Sequence, residues 1–309
     1  MRGDGALSAP AAARLGPVLE TLLDAAKLER RVAFDPVELP RRYRDPRDAE
    51  VAGLLCASLA YGRVELFKPK LQTLLEAMGP SPAQFVRALE TDPAALAPLL
   101  KGFVYRFNVG TDVAVLLAGM GRALARHGSL EGLFLAQLEC HPSYREALGG
   151  FTSALREVPM DGLRVMLGPE RGLDHLLPRA PGPGAAKRLN LFLRWMVRGP
   201  DAVDLGLWRR VPTARLIIPL DTHVGRLSSY LGLTRRRDLS WKAAEEITAS
   251  LRQLDPLDPV KYDFALCHHG MSGACPAEPR AEDCQRCPLA RVCRLGRRRL
   301  SVDRKAVTP

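Results

Sequence analysis

Apolar residues along this chain recur at intervals of three and four, and hardly anywhere do they alternate. Leu15, Val18, Leu19, Leu22, Leu23 and Ala26 follow i, i+3, i+4, i+7 spacing and predict a helix over 15–31. Pro36, Pro40 and Pro46 mark 35–48 as a connector, and Asp48 is placed to cap a second helix through Tyr61. That helix is expected to bury Val51, Leu54, Leu55, Ser58 and Leu59. The same period predicts helices near 64–78, 82–100, 111–127, 130–139 and 142–156, split by Gly or Pro. No strand and no internal repeat is read, so the expected class is all-α.

The rhythm breaks at Pro178, Pro181, Gly182, Pro183 and Gly184, which predict a tight turn. In the helix that follows, AAKRLNLFLRWMVR, an apolar stripe of Ala185, Leu189, Phe192 and Met196 leaves Lys187, Arg194 and Arg198 on another face. Gly199-Pro200 stops it. Pro219-Leu220-Asp221 opens a helix carrying Val224, Leu227 and Leu231 to Gly232. Ser240–Leu254 is another, and Asp258-Pro259 opens a last one that stops at Gly270. Residues 1–15, rich in Ala, Gly and Ser, read as a frayed tail, and 295–309, with Arg297, Arg298, Arg299, Arg304 and Lys305, as a basic one.

A chain of 309 residues is enough for one large domain or two moderate ones. Its 47% apolar and 26% charged content excludes wholesale disorder. No apolar run reaches about 18 residues, which excludes a spanning helix, and no long apolar stretch follows Arg2, so no secretory signal is read. A cytoplasmic protein is expected. The balance of 45 basic against 34 acidic residues, +11 overall, favours a polyanionic partner. Only 8 of the 45 are Lys, however, and an arginine-biased genome gives the same balance without selection for binding.

Five of the seven cysteines fall between 267 and 293. In a reducing compartment such clustering points to metal or catalysis rather than disulfides. Cys275-x8-Cys284-x2-Cys287-x5-Cys293 can bring four thiolates to one centre. A zinc ribbon would show two separated C-x2-C pairs and a bacterial ferredoxin a tighter run, and neither order is present. Zinc and iron–sulfur both remain open on spacing. Cys267 reads as buried on its helix, and Cys56 and Cys140 as core. A glycine hairpin running into a helix N-terminus presents backbone N–H groups and the positive end of the helix dipole to a phosphate, although such turns also simply join helices. Asp221 is either the cap of the helix starting at Thr222 or a carboxylate able to stabilise an oxocarbenium-like state, and the two roles are compatible.

PGPGAAKR resembles the hairpin of helix-hairpin-helix DNA glycosylases, and PLDTHVGR resembles the segment that holds their catalytic aspartate. The cysteine order resembles the compact C-terminal [4Fe–4S] loop of the endonuclease III type, with a longer first gap. The resemblance covers roughly 48–293 and is most specific over 181–293. A closer resemblance, through AYGR, KRLNLFLRWMVR, PLDTHVGR and KYDFAL, is to a bacterial family of unassigned function within that superfamily. It implies a two-lobed fold, with 16–47 and 205–294 in one lobe and 48–204 in the other. It implies Asp221 as the catalytic carboxylate, and Gly182, Gly184, Lys187 and Arg188 at double-stranded DNA. His223 and Arg226 would be structural or would face the DNA backbone. Cys275, Cys284, Cys287 and Cys293 would hold [4Fe–4S], with Zn²⁺ as the alternative. The expected reaction is excision of a damaged or mispaired base, flipped out of the duplex, by a monomer near the nucleoid.

Two departures bear on this. Bifunctional members carry a nucleophilic lysine where this chain has Ala186, and Lys187 lies one step on, about 100° around the helix. A monofunctional hydrolase using water is therefore expected, with Lys187 attacking only from a shifted frame. A long insertion including DLGLW (Asp204–Trp208) separates Gly184 from Asp221. The rival readings are a non-catalytic nucleic-acid-binding protein on the same scaffold and a zinc-stabilised helical adaptor. Tyr61, Arg63, Tyr105, Arg106 and Phe107 suit stacking on a base or clamping phosphate, or else belong to the core. Trp195 and Trp241 read as packing, and His268-His269 as a helix cap or a metal accessory.

Overall fold

The computed structural model describes residues 7–179 and 182–306. Among the described residues the chain is helical apart from one short ribbon, in which Val104–Tyr105 pairs antiparallel with Asn108–Val109. Serine and aspartate side chains start many of the helices by accepting a backbone N–H of the first turn, which supplies a partner the helix itself lacks. Asp24, Ser81, Ser129, Ser143, Asp221 and Ser240 all do so. Gly128 and Gly232 end theirs in the left-handed region.

Several boundaries differ from expectation. The helix read over 15–31 is two, Ala9–Glu20 and Ala25–Val32, so residues 9–15 are helical, and Ala12 and Leu15 are buried; residues 1–6 lie outside the described residues. The basic segment after 294 is the helix Arg294–Ala306. The helix Pro46–Leu59 is capped by Asp45, not Asp48. Asp48 instead accepts from Ser81 Oγ and Ala83 N, tying that helix to the start of the next but one, Pro82–Ala88. Asp258 likewise opens no helix. Its carboxylate is held by Arg198, and the helix begins later, at Asp263–Met271. Met160–Leu167 and Leu173–Leu176 are further short helices.

Buried apolar residues form one continuous cluster from Leu7 to Leu289. The long helix Gly110–His127 runs through it and packs on Pro82–Ala88 and Tyr144–Arg156. Two glycines permit that approach: a Cβ at Gly119 or Gly121 would strike the carbonyl of Leu155 or of Val86. The hairpin helix, Lys187–Val197, packs on Pro46–Leu59, and Thr222–Leu231 packs on Asp263–Met271. Between these helices sits a buried ion network. Arg194, expected on a polar face, is 2% exposed and donates to Asp204 and to Asp263. Arg198 joins Asp204 to Asp258. No helix among the described residues is long and apolar enough to cross a membrane.

Candidate active-site cleft

The hairpin is held by its carbonyls. Arg145 donates to Gly182 O while lying over the Trp241 ring, and Trp241 N donates to Pro183 O at 3.1 Å. Gly184 bridges to Ser240. Pro181, read as part of the turn, lies outside the described residues. Ala186 then adopts φ 48°, a left-handed conformation that costs a non-glycine residue roughly 1–2 kcal/mol, and the helix starts at Lys187.

From that first helical position Lys187 extends its Nζ to 3.9 Å from Oδ2 of Asp221. The carboxylate of Asp221 is divided between two tasks. Oδ1 accepts from His223 N and Val224 N, each at 2.9 Å, and so caps the helix. Oδ2 is the oxygen near Lys187, and it also accepts from the Cys267 thiol at 3.6 Å. Both expected roles of the aspartate are therefore available at once, on different oxygens. Burial, reinforced by the negative charge of Asp221, pushes the Cys267 thiol up and keeps it a neutral donor.

Lys187 and Asp221 line a cleft of about 410 Å³, within the range of small-molecule sites. Phe34, Tyr61, Phe67, Leu191 and Phe264 give it apolar walls. Asp263 reaches it from the ion network. Burial pushes that carboxyl up to about 6 although Arg194 beside it pulls the other way. His223 lines the cleft and packs against Gly270, with Nδ1 buried and without a partner.

The other residues expected at DNA are engaged inside the protein. Arg188 is half-buried, donates to Ser58 O and His175 O, and lies over the Tyr61 ring at 5.1 Å. Arg226 donates to Cys275 O at 2.7 Å, which ties its helix to the cysteine loop. Tyr61 anchors a ring cluster, edge-on to His175 at 4.5 Å and stacked with the exposed Phe107 at 6.3 Å. Its hydroxyl lies 2.7 Å from Asn108 Oδ1 and 2.9 Å from Tyr105 O, two acceptors within reach of its one proton. Burial, with Arg188 and Arg106 nearby, pushes His175 down to about 4. Arg63 is exposed beside Glu65. Trp195 and Trp241 are buried, as expected. Cys56 is core, whereas Cys140, expected with it, is exposed at the end of Leu130–Cys140.

Cys275, Cys284, Cys287 and Cys293 share one loop. Burial pushes Cys275 up to about 11, and the other three thiols add to that shift. Cys287 Sγ lies 3.5 Å from His269 Nε2, and Cys293 accepts from Gly296 N. The thiols gather without closing on a common point: among the described residues no group of three or more His, Cys, Asp or Glu side chains is disposed around a metal position. The chemistry of the donor set, four thiols within nineteen residues, nonetheless suits a cluster or zinc once they converge.

Sequence reasoning did not find Arg194, Asp204 and Asp263, or the pair of Asp35 with His268, whose Oδ2 and Nε2 are 3.5 Å apart. Arg194, Asp263 and His268 lie on helices and Asp204 and Asp35 on connecting segments, and only the buried packing brings them together. The model of a protein family of unknown function, DUF2400, matches residues 35–272. The hairpin, Lys187 and Asp221 lie inside that stretch, and Cys275–Cys293 beyond it. No curated protein and no solved structure matches.

Proposed function

The chain belongs to this family of unknown function, DUF2400, and we propose that its member here is a DNA base-excision N-glycosylase with Asp221 as its catalytic carboxylate. The observation that carries the reading is the meeting of Asp221 and Lys187 in a cleft that opens beside the hairpin helix. Rupture of a bond between a base and deoxyribose leaves positive charge on the sugar, and a fixed carboxylate stabilises it. The cleft-facing Oδ2 of Asp221, beside Lys187 and aimed by the backbone bonds to Oδ1, is suited to that task and to receiving a proton from water. The apolar walls suit a base taken out of its stack.

The hairpin would grip the DNA backbone through Gly182 and Gly184. An added Cβ at Gly184 would meet nothing within 4 Å, and neither glycine has a positive φ. Packing and backbone conformation therefore do not account for glycine there, whereas close approach of a phosphate does. Double-stranded DNA, a monomeric enzyme near the nucleoid and the two-lobed helix-hairpin-helix architecture belong to the same proposal. So does a [4Fe–4S] cluster, or Zn²⁺, on Cys275, Cys284, Cys287 and Cys293, which would order the loop and take no part in bond breaking.

A second reading has a specific observation behind it. The left-handed Ala186 turns Lys187 toward Asp221, so the lysine reaches the cleft although it stands one place late. An amine there suits attack on the sugar C1′ and a lyase step. Incubation with duplexes carrying uracil, 8-oxoguanine, alkylated bases or mismatches tests both readings. Base release lost in Asp221→Asn, with DNA binding retained, supports the first; an unchanged rate in that variant removes it. Borohydride trapping of a covalent complex, lost in Lys187→Gln, distinguishes a lyase from a hydrolase.

A further inference from the structure

Asp221 is not the only acid–base equipment in the cleft. His268 and Asp35 come from opposite ends of the matched region, and both line the cleft that holds Asp221. Asp35 divides its carboxylate as Asp221 does. Oδ1 accepts from Val37 N at 2.9 Å and is fixed by that bond, while Oδ2 faces His268 Nε2 at 3.5 Å. The imidazole is pinned from the side by the Phe264 ring, 4.1 Å between centroids. Its side chain is 12% exposed and Nε2 has no hydrogen-bond partner. A buried polar atom without a partner is costly. A carboxylate just beyond bonding reach of an imidazole is an arrangement that tightens when a ligand closes the site.

The charged and titratable groups around His268 come from every neighbouring element. Asp35 stands in the segment before residue 36 and Tyr61 just after Pro46–Leu59; Lys187, Arg188 and Arg194 lie on the hairpin helix, and Asp221 and His223 at the start of Thr222–Leu231. Asp263 and Cys267 lie on its own helix, and Arg31 on Ala25–Val32 acts on the adjacent His269. Three carboxylates and three cations thus line the cleft, and Asp35 is the acid that faces the His268 imidazole.

We infer that His268, oriented by Asp35, is the proton donor to the departing base. This rests on the glycosylase reading and deepens it by dividing the labour between two carboxylates. The bond between C1′ and the base nitrogen breaks, and its electron pair leaves with the base. With Nε2 turned to Asp35, the imidazolium of His268 gives that nitrogen the proton on Nδ1 and becomes neutral. Water adds its oxygen to C1′ and passes one proton to Asp221. Asp35 touches no reacting atom. It is a positioning residue, setting the ring orientation as the buried acid of a catalytic triad does.

The test uses the full chain and whichever duplex of the panel above releases its base. Under single-turnover conditions, wild-type release should slow as pH rises, as in any reaction that needs a protonated donor. His268→Gln should slow release roughly 10²-fold or more at neutral pH and flatten that limb. Asp35→Asn, which keeps the acceptor for Val37 N, should move the same limb without lowering the melting temperature. A merely structural pair would lower the melting temperature and leave the pH profile in place. Wild-type rate and profile in His268→Gln, with release still lost in Asp221→Asn, overturns the inference and spares the glycosylase reading. No release from any duplex removes both.

Discussion

Arg194 is the residue on which the packing around the cleft depends most heavily, and replacing it by methionine gives a graded prediction. The guanidinium donates to Asp204 Oδ1 from Nε at 3.1 Å and from Nη2 at 3.0 Å, and to Asp263 from Nη1. In Arg194→Met, Asp204 keeps Arg198. Asp263 keeps no ion-pair partner, and its Oδ1 already lacks a hydrogen bond. Stranding one member of a buried pair costs about 3–5 kcal/mol. The deficit should depend on pH. Burial already pushes Asp263 up to about 6 with Arg194 present, and losing the cation raises it further. A carboxyl whose folded pKa lies above its unfolded one favours folding below the unfolded pKa and loses that contribution as pH rises through the folded one. Between about pH 6 and 7.5 the variant should therefore lose about 1.4 kcal/mol per pH unit more than wild type. Urea unfolding at the two pH values reads both quantities. Adding Asp263→Asn should restore most of the stability at the higher pH. A loss below about 1 kcal/mol, or one that is the same at both pH values, would refute the reasoning.

Other predictions follow from single contacts. Asp221→Asn should leave the melting temperature unchanged, because asparagine caps as well as aspartate, while Asp221→Ala should cost about 1 kcal/mol; both should abolish base release. His175, pushed down to about 4, takes up a proton in the unfolded chain at higher pH than in the folded one. Stability should therefore fall as pH drops from about 6.5 to 4, by roughly 1–2 kcal/mol after allowance for solvent screening, and denaturation of His175→Gln should lack that limb. Gly119→Ala, forced against the Leu155 carbonyl, should lower stability by about 1–3 kcal/mol in the same unfolding assay. Anaerobic reconstitution with iron and sulfide should give a brown protein with iron and acid-labile sulfide in equal amounts, a signal lost in Cys284→Ser. A colourless product that takes up one zinc instead would assign the loop to zinc.

Helical periodicity made most of this architecture legible, because a stripe at i, i+3, i+4, i+7 survives in any sequence that must bury one face. It failed where the stripe was short or was carried by charge. Met160–Leu167 contains Gly162 and is parted from Leu173–Leu176 by Gly168, Pro169 and Gly172, and Arg294–Ala306 is so rich in arginine that its few apolar residues give no clear stripe. Lys187 and Asp221 were legible as candidates from local motifs, but not as neighbours: the 3.9 Å between them depends on a left-handed Ala186 that no residue preference announces. Arg194 was the plainest misreading, since a guanidinium among leucines reads as solvent-facing until its two carboxylates are found across the fold. Asp35 and His268 illustrate the same limit. Their pairing spans most of the chain, and distance along a sequence conceals which side chains share a wall.

Three consecutive residues of Asp263–Met271 point to three destinations: Cys267 to Asp221, His268 to Asp35, and His269 to Cys287. That one turn acts as a keystone, locking the front of the chain, its middle and the cysteine loop into common registration. A half-turn slip of the helix would unseat all three contacts together, so this stretch tolerates neither insertion nor deletion, while the exposed turn from Met271 onward retains ample latitude.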